Sequence, residues 1–378
     1  MNEEFMRVLL SLTEKCNLRC TYCYYNESQN ERCADMSDEV REASLRYILD
    51  KTIEFKHEYL SITFFGGEPL LKFDAIQKSV SFLKNLVQSR FSELPKGFAL
   101  VFAINTNGTL LNDEILEYFK KEKFTIYVSI DGPASRHNLS RRTVNNKGSF
   151  DALAPFIPEL VKQDAFVISV TNRNNIKGLT DSVKWLKAQG FKNVQNAVDF
   201  DGRWTSEDMD ALAAEYTKLA ELWYNLKKEK SDFYIQTIQD HILLHALDLK
   251  VKHCSCDILK GSIGIATNGN VFPCSRFISS KPNAPYLLGN VLDKEDHIYD
   301  SPAAQEVYRF LETEKKECIG CAIQRRCAAH ECGCTSFYTT GSLFGVSPEV
   351  CTHERILSAI CDEFAVKLQN EGKAEDIL

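Results

Sequence analysis

Cysteines are the residues of this 378-residue chain whose number and spacing point most directly to chemistry. There are 14, and the first group contains a C-x3-C-x2-C pattern formed by Cys16, Cys20 and Cys23. In a reducing compartment, clustered thiols at short spacings are typical of metal or iron–sulfur ligands rather than of disulfides. Three thiolates can hold three irons of a [4Fe–4S] cluster and leave the fourth iron open, as a catalytic site requires. The pattern therefore predicts a catalytic cluster, with a structural zinc knuckle completed by Cys33 or His57 as the alternative.

A second group of ten cysteines lies after residue 250, in a segment with few apolar residues for its length. Its members are Cys254, Cys256, Cys274, Cys318, Cys321, Cys327, Cys332, Cys334, Cys351 and Cys361. Bound metal would supplement the small hydrophobic core of such a segment. The residues alone leave iron–sulfur clusters and zinc open, because C-x2-C pairs such as Cys318 and Cys321 bind zinc well.

Short polar motifs follow the predicted strands of the first half of the chain. They are FGGEP at 65–69, NTNG at 105–108, SIDGP at 129–133 and HNLSR at 137–141. Glycines in the first motif let the backbone approach a ligand closely, and Glu68 can pair with an ammonium group. Together these motifs predict a binding site for a small polar ligand.

The elements that carry these motifs alternate between strands and helices from residue 5 to about residue 200. The predicted strands span 6–12, 60–65, 98–104, 124–130, 165–170 and 192–197, and the predicted helices span 37–55, 73–89, 112–121, 149–162 and 176–188. This alternation indicates a parallel sheet with right-handed crossovers, whose ligands bind beyond the carboxyl ends of the strands. Six units are too few for a closed eightfold barrel, so we predict an α/β fold of the partial (β/α)6 TIM-like type. Two helices at 206–230 and 233–252, a hairpin at 263–272 and a helix at 353–369 complete the prediction.

The cysteine pattern, the aromatic residue before its third cysteine and the four motifs together resemble the signature of the radical S-adenosylmethionine (SAM) enzymes. The resemblance implies that SAM binds the open iron, that the cluster cleaves it reductively, and that the 5′-deoxyadenosyl radical abstracts a hydrogen atom. A flavodoxin- or ferredoxin-type protein would donate the electron. The implied SAM contacts are Tyr22, Gly66, Gly67, Glu68, Asn107, Ser129 and Arg141, with the amino group at the 66–68 turn, the ribose at Ser129 and the carboxylate at Arg141 or its neighbour Arg142.

The second group of cysteines resembles the SPASM domain of radical SAM enzymes, which carries two auxiliary [4Fe–4S] clusters. On this resemblance one cluster is held by Cys318, Cys321, Cys327 and Cys351, and the other by Cys256, Cys274 and Cys332. Cys254 and Cys334 compete as ligands of the second cluster, and the spacing from Cys327 to Cys332 is one residue longer than is usual in the family. The expected domains are a barrel at 1–205, a helical bridge at 206–252 and a cysteine-rich SPASM domain at 253–378.

SPASM-bearing members of the family mostly modify ribosomal peptides or proteins. The layout resembles the anaerobic sulfatase maturases and the peptide maturases that make thioether or carbon–carbon cross-links. Sulfatase maturases place an aspartate base directly after the cysteine of the Gly-x4-Cys motif, where this chain has Ser275, whose hydroxyl cannot accept a proton as a carboxylate does. We therefore expect an oxidative cross-link in a ribosomal peptide precursor, with oxidation of cysteine or serine to formylglycine as the alternative. Asp131 is the candidate base, and a structural role in its turn is the other interpretation.

Composition excludes several other classes of function. Lys plus Arg number 45 against 52 Asp plus Glu, and this net charge of −7 argues against a nucleic-acid-binding surface. No apolar run reaches the length of about 18 residues that a membrane span needs. The acidic start lacks a signal-peptide core, so we expect a cytoplasmic protein. The first predicted strand begins by residue 6, so leader recognition, if needed, would use a separate chain, a sheet edge or the cleft between the two halves. A zinc-based protein-interaction module and a small-molecule radical SAM dehydrogenase are the alternatives of other classes, and iron and sulfide content separates the first of them from the main prediction.

Overall fold

The computed structural model describes residues 5–24, 34–246, 258–259 and 261–371. Its fold is mixed α/β with a parallel sheet. The predictions for Cys33, Cys254 and Cys256 lie outside the described residues. No helix within the described ranges is both long and apolar enough to cross a membrane.

All six strands predicted for the first half of the chain are present. They are β1 (Phe5–Thr13), β2 (Tyr59–Gly66), β3 (Ala99–Thr106), β4 (Thr125–Ser129), β5 (Phe166–Thr171) and β6 (Asn193–Val198). Each begins one residue from its predicted start, because alternate side chains of these apolar runs are buried, as in β2 and β5. The strand predictions are therefore confirmed.

Four of the five helices predicted between these strands are confirmed and one is wrong, and the described helices include one that was not predicted, Ala134–Ser140. They are α1 (Asp38–Glu54), α2 (Phe73–Ser89), α3 (Asp113–Glu122), α4 (Ala134–Ser140), α5 (Phe150–Leu153), α6 (Ile157–Lys162) and α7 (Leu179–Ala188). Asn112 caps α3 as predicted, since its side chain accepts a hydrogen bond of 2.8 Å from the backbone N–H of Ile115. The single helix predicted at 149–162 is wrong: a 3₁₀ turn at Ala154–Phe156 separates α5 from α6. Pro155 and Pro158 lack the N–H groups that a continuous helix would need there.

The chain divides into two compact units, and the first comprises Met1–Arg19, Cys23–Tyr127 and Cys256–Arg309. Its sheet contains three further strands, β8 (Ser262–Ile265), β9 (Asn270–Phe272) and β10 (Gly289–Asn290). The order within this unit is β10-β9-β8-β1-β2-β3, with β8 parallel to β1 and antiparallel to β9. The predicted hairpin is thus confirmed, and Gly269 adopts its turn conformation with φ of 86°. Because this hairpin extends the sheet of the first half of the chain, the compact units cut across the boundaries predicted at 205 and 253.

The second unit comprises Cys20–Tyr22, Val128–Ser255 and Phe310–Leu378. It contains β5, β6 and the short β7 (Tyr234–Ile235), which pair in parallel. Its remaining helices are α8 (Ser206–Lys228), α9 (Gln236–Ala246), α11 (Ala328–Glu331), α12 (Gly333–Thr340) and α13 (Pro348–Asn370), and α10 (Pro302–Glu312) spans the boundary between the units. Helix α13 packs on α8 and α9, and Cys361 on α13 is fully buried there, as expected for a cysteine that is not a ligand.

Candidate active site

The segment that follows β1 carries the first three cysteines, none of which forms a disulfide. Cys16 and Cys23 belong to the first unit, whereas Cys20 belongs to the second. Burial and, to a smaller extent, the nearby charges of Glu68 and Cys23 raise the pKa of Cys16 to about 11, although the Leu18 N–H donates to its sulfur at 3.4 Å. A buried thiol of this kind becomes a thiolate when metal displaces its proton. Half-buried thiols match the donor chemistry of an iron–sulfur cluster, and the assignment of these three as its ligands stays a prediction.

The glycines of the FGGEP motif lie against the backbone of this cysteine segment. The Gly67 N–H donates to the Thr13 carbonyl at 2.9 Å, and the Glu68 N–H donates to the Lys15 carbonyl at 2.9 Å. A Cβ atom at Gly67 would lie 2.2 Å from the Lys15 oxygen, which is far inside van der Waals contact. The structure therefore shows a close backbone approach at Gly67, and it is to another segment of the chain. The predicted approach of this turn to a ligand, and the SAM contacts at Gly66 and Gly67, stay predictions.

The carboxylate of Glu68 is buried and is held by three donors. It accepts hydrogen bonds from the Thr106 hydroxyl (2.7 Å), the Asn107 N–H (2.8 Å) and the Leu70 N–H (3.0 Å). Burial raises the pKa of Glu68 to about 7, against the opposing effect of these hydrogen bonds. A carboxylate has about four acceptor positions, so one remains for an ammonium group. The hydrogen bonds of Glu68 thus connect the turn after β2 to the end of β3. Its carboxylate keeps one acceptor position for the ammonium group with which the sequence predicts that it pairs.

Asn107 connects the end of β3 to the cysteine segment. Its amide nitrogen donates to the Asn17 side chain at 2.9 Å and lies 3.9 Å from the Cys16 sulfur. Its amide oxygen accepts from the N–H and the hydroxyl of Thr109. The structure therefore places Asn107 beside the first cluster cysteine, where it orients that segment.

Asp131 is fully buried and all four acceptor positions of its carboxylate are used. Arg141 binds it with two hydrogen bonds of 3.0 Å each, the Val170 N–H donates at 2.8 Å, and the Tyr22 hydroxyl donates at 3.3 Å. Burial raises the pKa of Asp131, but the charge and hydrogen bonds of Arg141, with contributions from His137 and Arg136, together outweigh burial and the net shift is downward. This arrangement argues against Asp131 as a catalytic base, because no lone pair is available for a substrate proton. The turn aspartate has the structural role that the sequence left open.

Arg141 and Tyr22 complete this cluster of side chains. The Arg141 guanidinium lies 5.4 Å from the centroid of the Tyr22 ring, within the range of a cation–π contact. The paired Asp131 fixes the direction of Arg141, whereas Arg142 lies near the surface and bonds to the Asn146 side chain. Ser129 is half-buried at the end of β4. The SAM contacts predicted for Tyr22, Ser129 and Arg141 stay predictions.

Within the second unit a polar cavity of about 410 Å³ lies beyond the carboxyl ends of β5 and β6. Thr21 of the first cysteine motif lines it, together with Asn172, Arg173 and Asp199 from the segments that follow these strands. Ligands of parallel sheets bind at this end of the strands. The cavity adjoins the cysteine motif along the chain and is open to a polar ligand.

Four cysteines of the second unit influence one another electrostatically, and we call Cys318, Cys321, Cys327 and Cys351 the outer-cluster cysteines. Burial raises the pKa of Cys318, and the charges of Cys321 and Cys351 raise it further. Burial likewise raises the pKa of Cys327 to about 12, with a contribution from Cys351. All four lie in this unit and none forms a disulfide, and their role as the ligands of one auxiliary cluster stays a prediction.

The remaining predicted ligands are described only in part. Cys332 caps α12, where its sulfur accepts from the Thr335 N–H at 3.4 Å, and Cys334 is buried within that helix. Cys274 follows β9 in the first unit. We call the second predicted auxiliary cluster, with Cys256, Cys274 and Cys332 as its expected ligands, the inner cluster. Because Cys254 and Cys256 lie outside the described residues, the ligand set of the inner cluster stays a prediction.

Two buried charged residues of the second unit escape the sequence patterns. Lys315 is 2% exposed and lies close to outer-cluster cysteines, and Glu354 accepts a 2.8 Å hydrogen bond from the Ala328 N–H, directly after Cys327. Burial raises the pKa of Glu354, but hydrogen bonds from His241 and His353 outweigh it and lower the pKa to about 2. The sequence contains one signal that could have found them, which is spacing. Lys315 lies three residues before Cys318, and Glu354 lies three residues after Cys351.

Comparison with known proteins agrees with this site. Residues 10–203 match the model of the Radical SAM superfamily, and residues 254–327 match the SPASM model, described as an iron–sulfur cluster-binding domain. The cysteine-type anaerobic sulfatase-maturating enzyme of Clostridium perfringens is 24% identical over 82% of this chain and 84% of its own length. The serine-type enzyme of Bacteroides thetaiotaomicron is 27% identical over 80% and 77%. The subtilosin biosynthesis protein AlbA of Bacillus subtilis is 27% identical over 80% and 61%.

Solved structures share the fold. A structure of anSMEcpe with bound AdoMet has a TM-score of 0.79, with 20% identity and 98% of each chain covered. A second structure of that protein also contains the Kp18Cys peptide, with a TM-score of 0.78 over 97% of this chain and 99% of that one. The likeness confirms the partial TIM-like barrel, and the match of the cysteine-rich segment to an iron–sulfur domain displaces the zinc-based interaction module. The chain therefore belongs to the radical SAM superfamily, as an enzyme with a SPASM domain that uses [4Fe–4S] clusters and S-adenosylmethionine.

Proposed function

We propose that this enzyme oxidises a cysteine side chain of a peptide or protein to formylglycine. This proposal takes the alternative of the sequence analysis in place of the expected cross-link. Its main support is the set of curated relatives: cysteine-type and serine-type anaerobic sulfatase-maturating enzymes match this chain over about four fifths of its length. The peptide-bound structure of anSMEcpe, which has the same fold, supports a peptide as the substrate class.

The bound cofactors supply the hydrogen-abstracting radical and an acceptor for the second electron, and the protein's residues position the substrate and direct its proton. Oxidation of a cysteine side chain removes one hydrogen atom from Cβ, one proton from the thiol and one electron. Water then adds to the carbon of the resulting thioaldehyde, the carbon–sulfur bond breaks, and sulfur leaves as hydrogen sulfide. Cys16, Cys20 and Cys23 would hold the cluster that binds SAM, and the outer-cluster cysteines would hold one auxiliary cluster. A flavodoxin- or ferredoxin-type donor is the reductant that we propose.

The residue after Cys274 selects cysteine over serine as the substrate side chain. Ser275 offers no carboxylate, so the substrate's own acidity determines whether its proton is lost. A thiol has a pKa of about 8.5, far below that of an alcohol, and a nearby cation lowers it further. Arg276 supplies such a cation beside this position, with its guanidinium 5.7 Å from the centroid of the Tyr24 ring.

An oxidative cross-link is the second candidate, and Ser275 is the observation that favours it. A thioether or carbon–carbon link needs no carboxylate at this position if the substrate radical is captured within the peptide. The antilisterial bacteriocin subtilosin biosynthesis protein AlbA of Bacillus subtilis and the radical SAM cyclopropyl synthase TigE match this chain at 27% and 24% identity. A separate leader-binding chain would then be a partner.

The test uses the anaerobically reconstituted enzyme with SAM, a reductant and matched peptides that carry cysteine, serine or alanine at one position. We expect 5′-deoxyadenosine and a product of the cysteine peptide that has exchanged sulfur for oxygen and reacts with a hydrazide probe. A product that has lost two hydrogens and its free thiol without gaining a carbonyl group would establish the cross-link instead. If the serine peptide were oxidised as fast as the cysteine peptide, the argument from Ser275 would be refuted.

Two sets of variants sharpen this test. Ser275→Asp should gain activity toward the serine peptide, and the isosteric Ser275→Asn, which lacks a base, should not. Cys16→Ala, Cys20→Ala or Cys23→Ala should abolish 5′-deoxyadenosine formation, with Cys33→Ala as the control that retains it.

A further inference from the structure

Lys315 is a buried cation whose ammonium donates to neutral oxygen atoms. Its side chain is almost fully buried, and its ammonium donates to the Ala329 carbonyl at 2.7 Å and to the Ser336 hydroxyl at 2.6 Å. Both acceptors are neutral. Among the residues that the structure describes, no Asp or Glu carboxylate forms an ion pair with this ammonium. Buried lysines are rarely found unpaired, because an isolated charge is costly to remove from water.

Cysteines predicted to bind metal lie near this ammonium. Burial lowers the pKa of Lys315, and the charges of Cys318, Cys332 and Cys327, followed by that of Glu331, oppose this shift. Two of these cysteines are outer-cluster cysteines, and Cys332 is a predicted ligand of the other auxiliary cluster. The carboxylate of Glu331 lies 2.7 Å from the ring of His330. The ring of Phe310, 5.6 Å away, adds a weakly attractive face.

We propose that the ammonium of Lys315 is the buried counter-ion of the auxiliary iron–sulfur cluster on the outer-cluster cysteines and raises the reduction potential of that cluster. An iron–sulfur cluster with four thiolate ligands is anionic and gains negative charge on reduction. A fixed cation close to its ligands therefore stabilises the reduced form more than the oxidised form. Net charge, hydrogen bonding and solvent exposure are the factors that set these potentials.

Lys315 is a positioning residue in this proposal, since it acts through the cluster and contacts no substrate. Its backbone supports the same role, because the Cys318 N–H donates to the Lys315 carbonyl at 2.9 Å. The two hydrogen bonds to Ala329 and Ser336 hold the ammonium between the segments that carry Cys318 and Cys332. This counter-ion proposal rests on the proposed function in one respect only, namely that the cluster accepts an electron during oxidation of the peptide.

The test is a redox titration of the reconstituted holoenzyme by electron paramagnetic resonance, without peptide. The SAM-binding cluster is recognised by its spectral change on addition of SAM, which leaves the auxiliary signals for measurement. Lys315→Gln keeps a hydrogen-bond donor but removes the charge, and Lys315→Met removes both. We expect each variant to lower the equilibrium constant for reduction of an auxiliary cluster about tenfold, a shift of about 59 mV to lower potential. The exposed neighbour provides the control, since Lys316→Met should leave the potential unchanged.

Each outcome of this test decides the proposal. A potential that is unchanged in Lys315→Gln with full iron content overturns it. If both neutral variants fail to assemble the cluster, Lys315→Arg decides: normal iron content in that variant supports the need for a charge, and loss of iron in all three overturns it in favour of side-chain shape. If the potential shifts as expected but the wild-type enzyme oxidises none of the peptides, the counter-ion role of Lys315 stands and the proposed function alone is refuted.

Discussion

The ion pair between Asp131 and Arg141 gives the most direct test of how the strand ends are held. Asp131 is 0% exposed at its side chain and Arg141 is 6% exposed, and their two hydrogen bonds are both 3.0 Å long. Asp131→Asn preserves the shape of the side chain but leaves one acceptor oxygen in place of two. The guanidinium then remains buried without its counter-charge. Loss of one partner of a buried pair costs about 3–5 kcal/mol, and we expect Asp131→Asn to lower the free energy of unfolding by that amount.

Tryptophan fluorescence during urea unfolding reports on the relevant part of the chain. All three tryptophans, Trp185, Trp204 and Trp223, belong to the second unit, which also contains the ion pair. A matched control is Asp164→Asn in the same unit, where the partner is Lys192 at 2.5 Å and both side chains are largely exposed. That substitution should have little effect, because water already screens the pair.

A double variant separates the buried charge from the lost hydrogen bonds. Arg141→Met removes the guanidinium, so Asp131→Asn combined with Arg141→Met no longer buries an unpaired charge. The double variant should therefore be destabilised by at least about 1 kcal/mol less than the sum of the two single variants. Additive effects, or an Asp131→Asn protein within about 1 kcal/mol of the wild type, would refute the interpretation of this pair as a buried, mutually dependent unit. The folded-state pKa of Asp131 is lowered, so the stabilisation is present at neutral pH and is lost as pH falls through that pKa.

Three further perturbations test other parts of the site. Gly67→Ala should displace the cysteine segment, because its Cβ would lie 2.2 Å from the Lys15 oxygen, and iron analysis should show the loss of about four irons. Burial lowers the pKa of His137 to about 4, so the unfolded state binds the extra proton between about pH 4 and 6.5. The free energy of unfolding should fall by up to about 3 kcal/mol as pH drops through this range, and His137→Gln should lose that part of the dependence in urea unfolding at several pH values. Cys351→Ala should lose about four irons together with stability, whereas Cys361→Ala should weaken packing and retain its iron.

The strands and most helices could be predicted because their pattern is local. Alternating burial in β5 and the cap at Asn112 depend on residues a few positions apart, and the sequence contains them in full. The sequence also contains the signal for the break between α5 and α6, which is the pair Pro155 and Pro158. The prediction followed the amphipathic pattern of the whole segment instead.

Long-range pairing could not be predicted in the same way. The hairpin of β8 and β9 follows from its Asn-Gly turn, yet its parallel pairing with β1 joins residues that are more than two hundred positions apart. No local pattern specifies such a partner, so the sequence placed the hairpin in a separate domain. The burial of Lys315 was not predicted for a related reason, because it depends on the path of the segment between Cys318 and Cys332.

The motifs named candidate site residues, whose contacts with the cofactor stay predictions, and they did not show where the hydrogen bonds of those residues go. Glu68 and Asn107 were predicted to contact the cofactor, and in the described structure they bind each other's segments and the cysteine segment. A variant such as Glu68→Gln therefore changes two properties at once. It leaves the buried N–H of Asn107 or Leu70 facing an amide donor, at a cost of about 1–3 kcal/mol, and it removes the charge available to an ammonium group. Weaker SAM binding by this variant supports a direct contact only if it exceeds the loss expected from the disturbed turn. A comparison with Thr106→Val, which removes one hydrogen bond to Glu68 and keeps its charge, provides that reference.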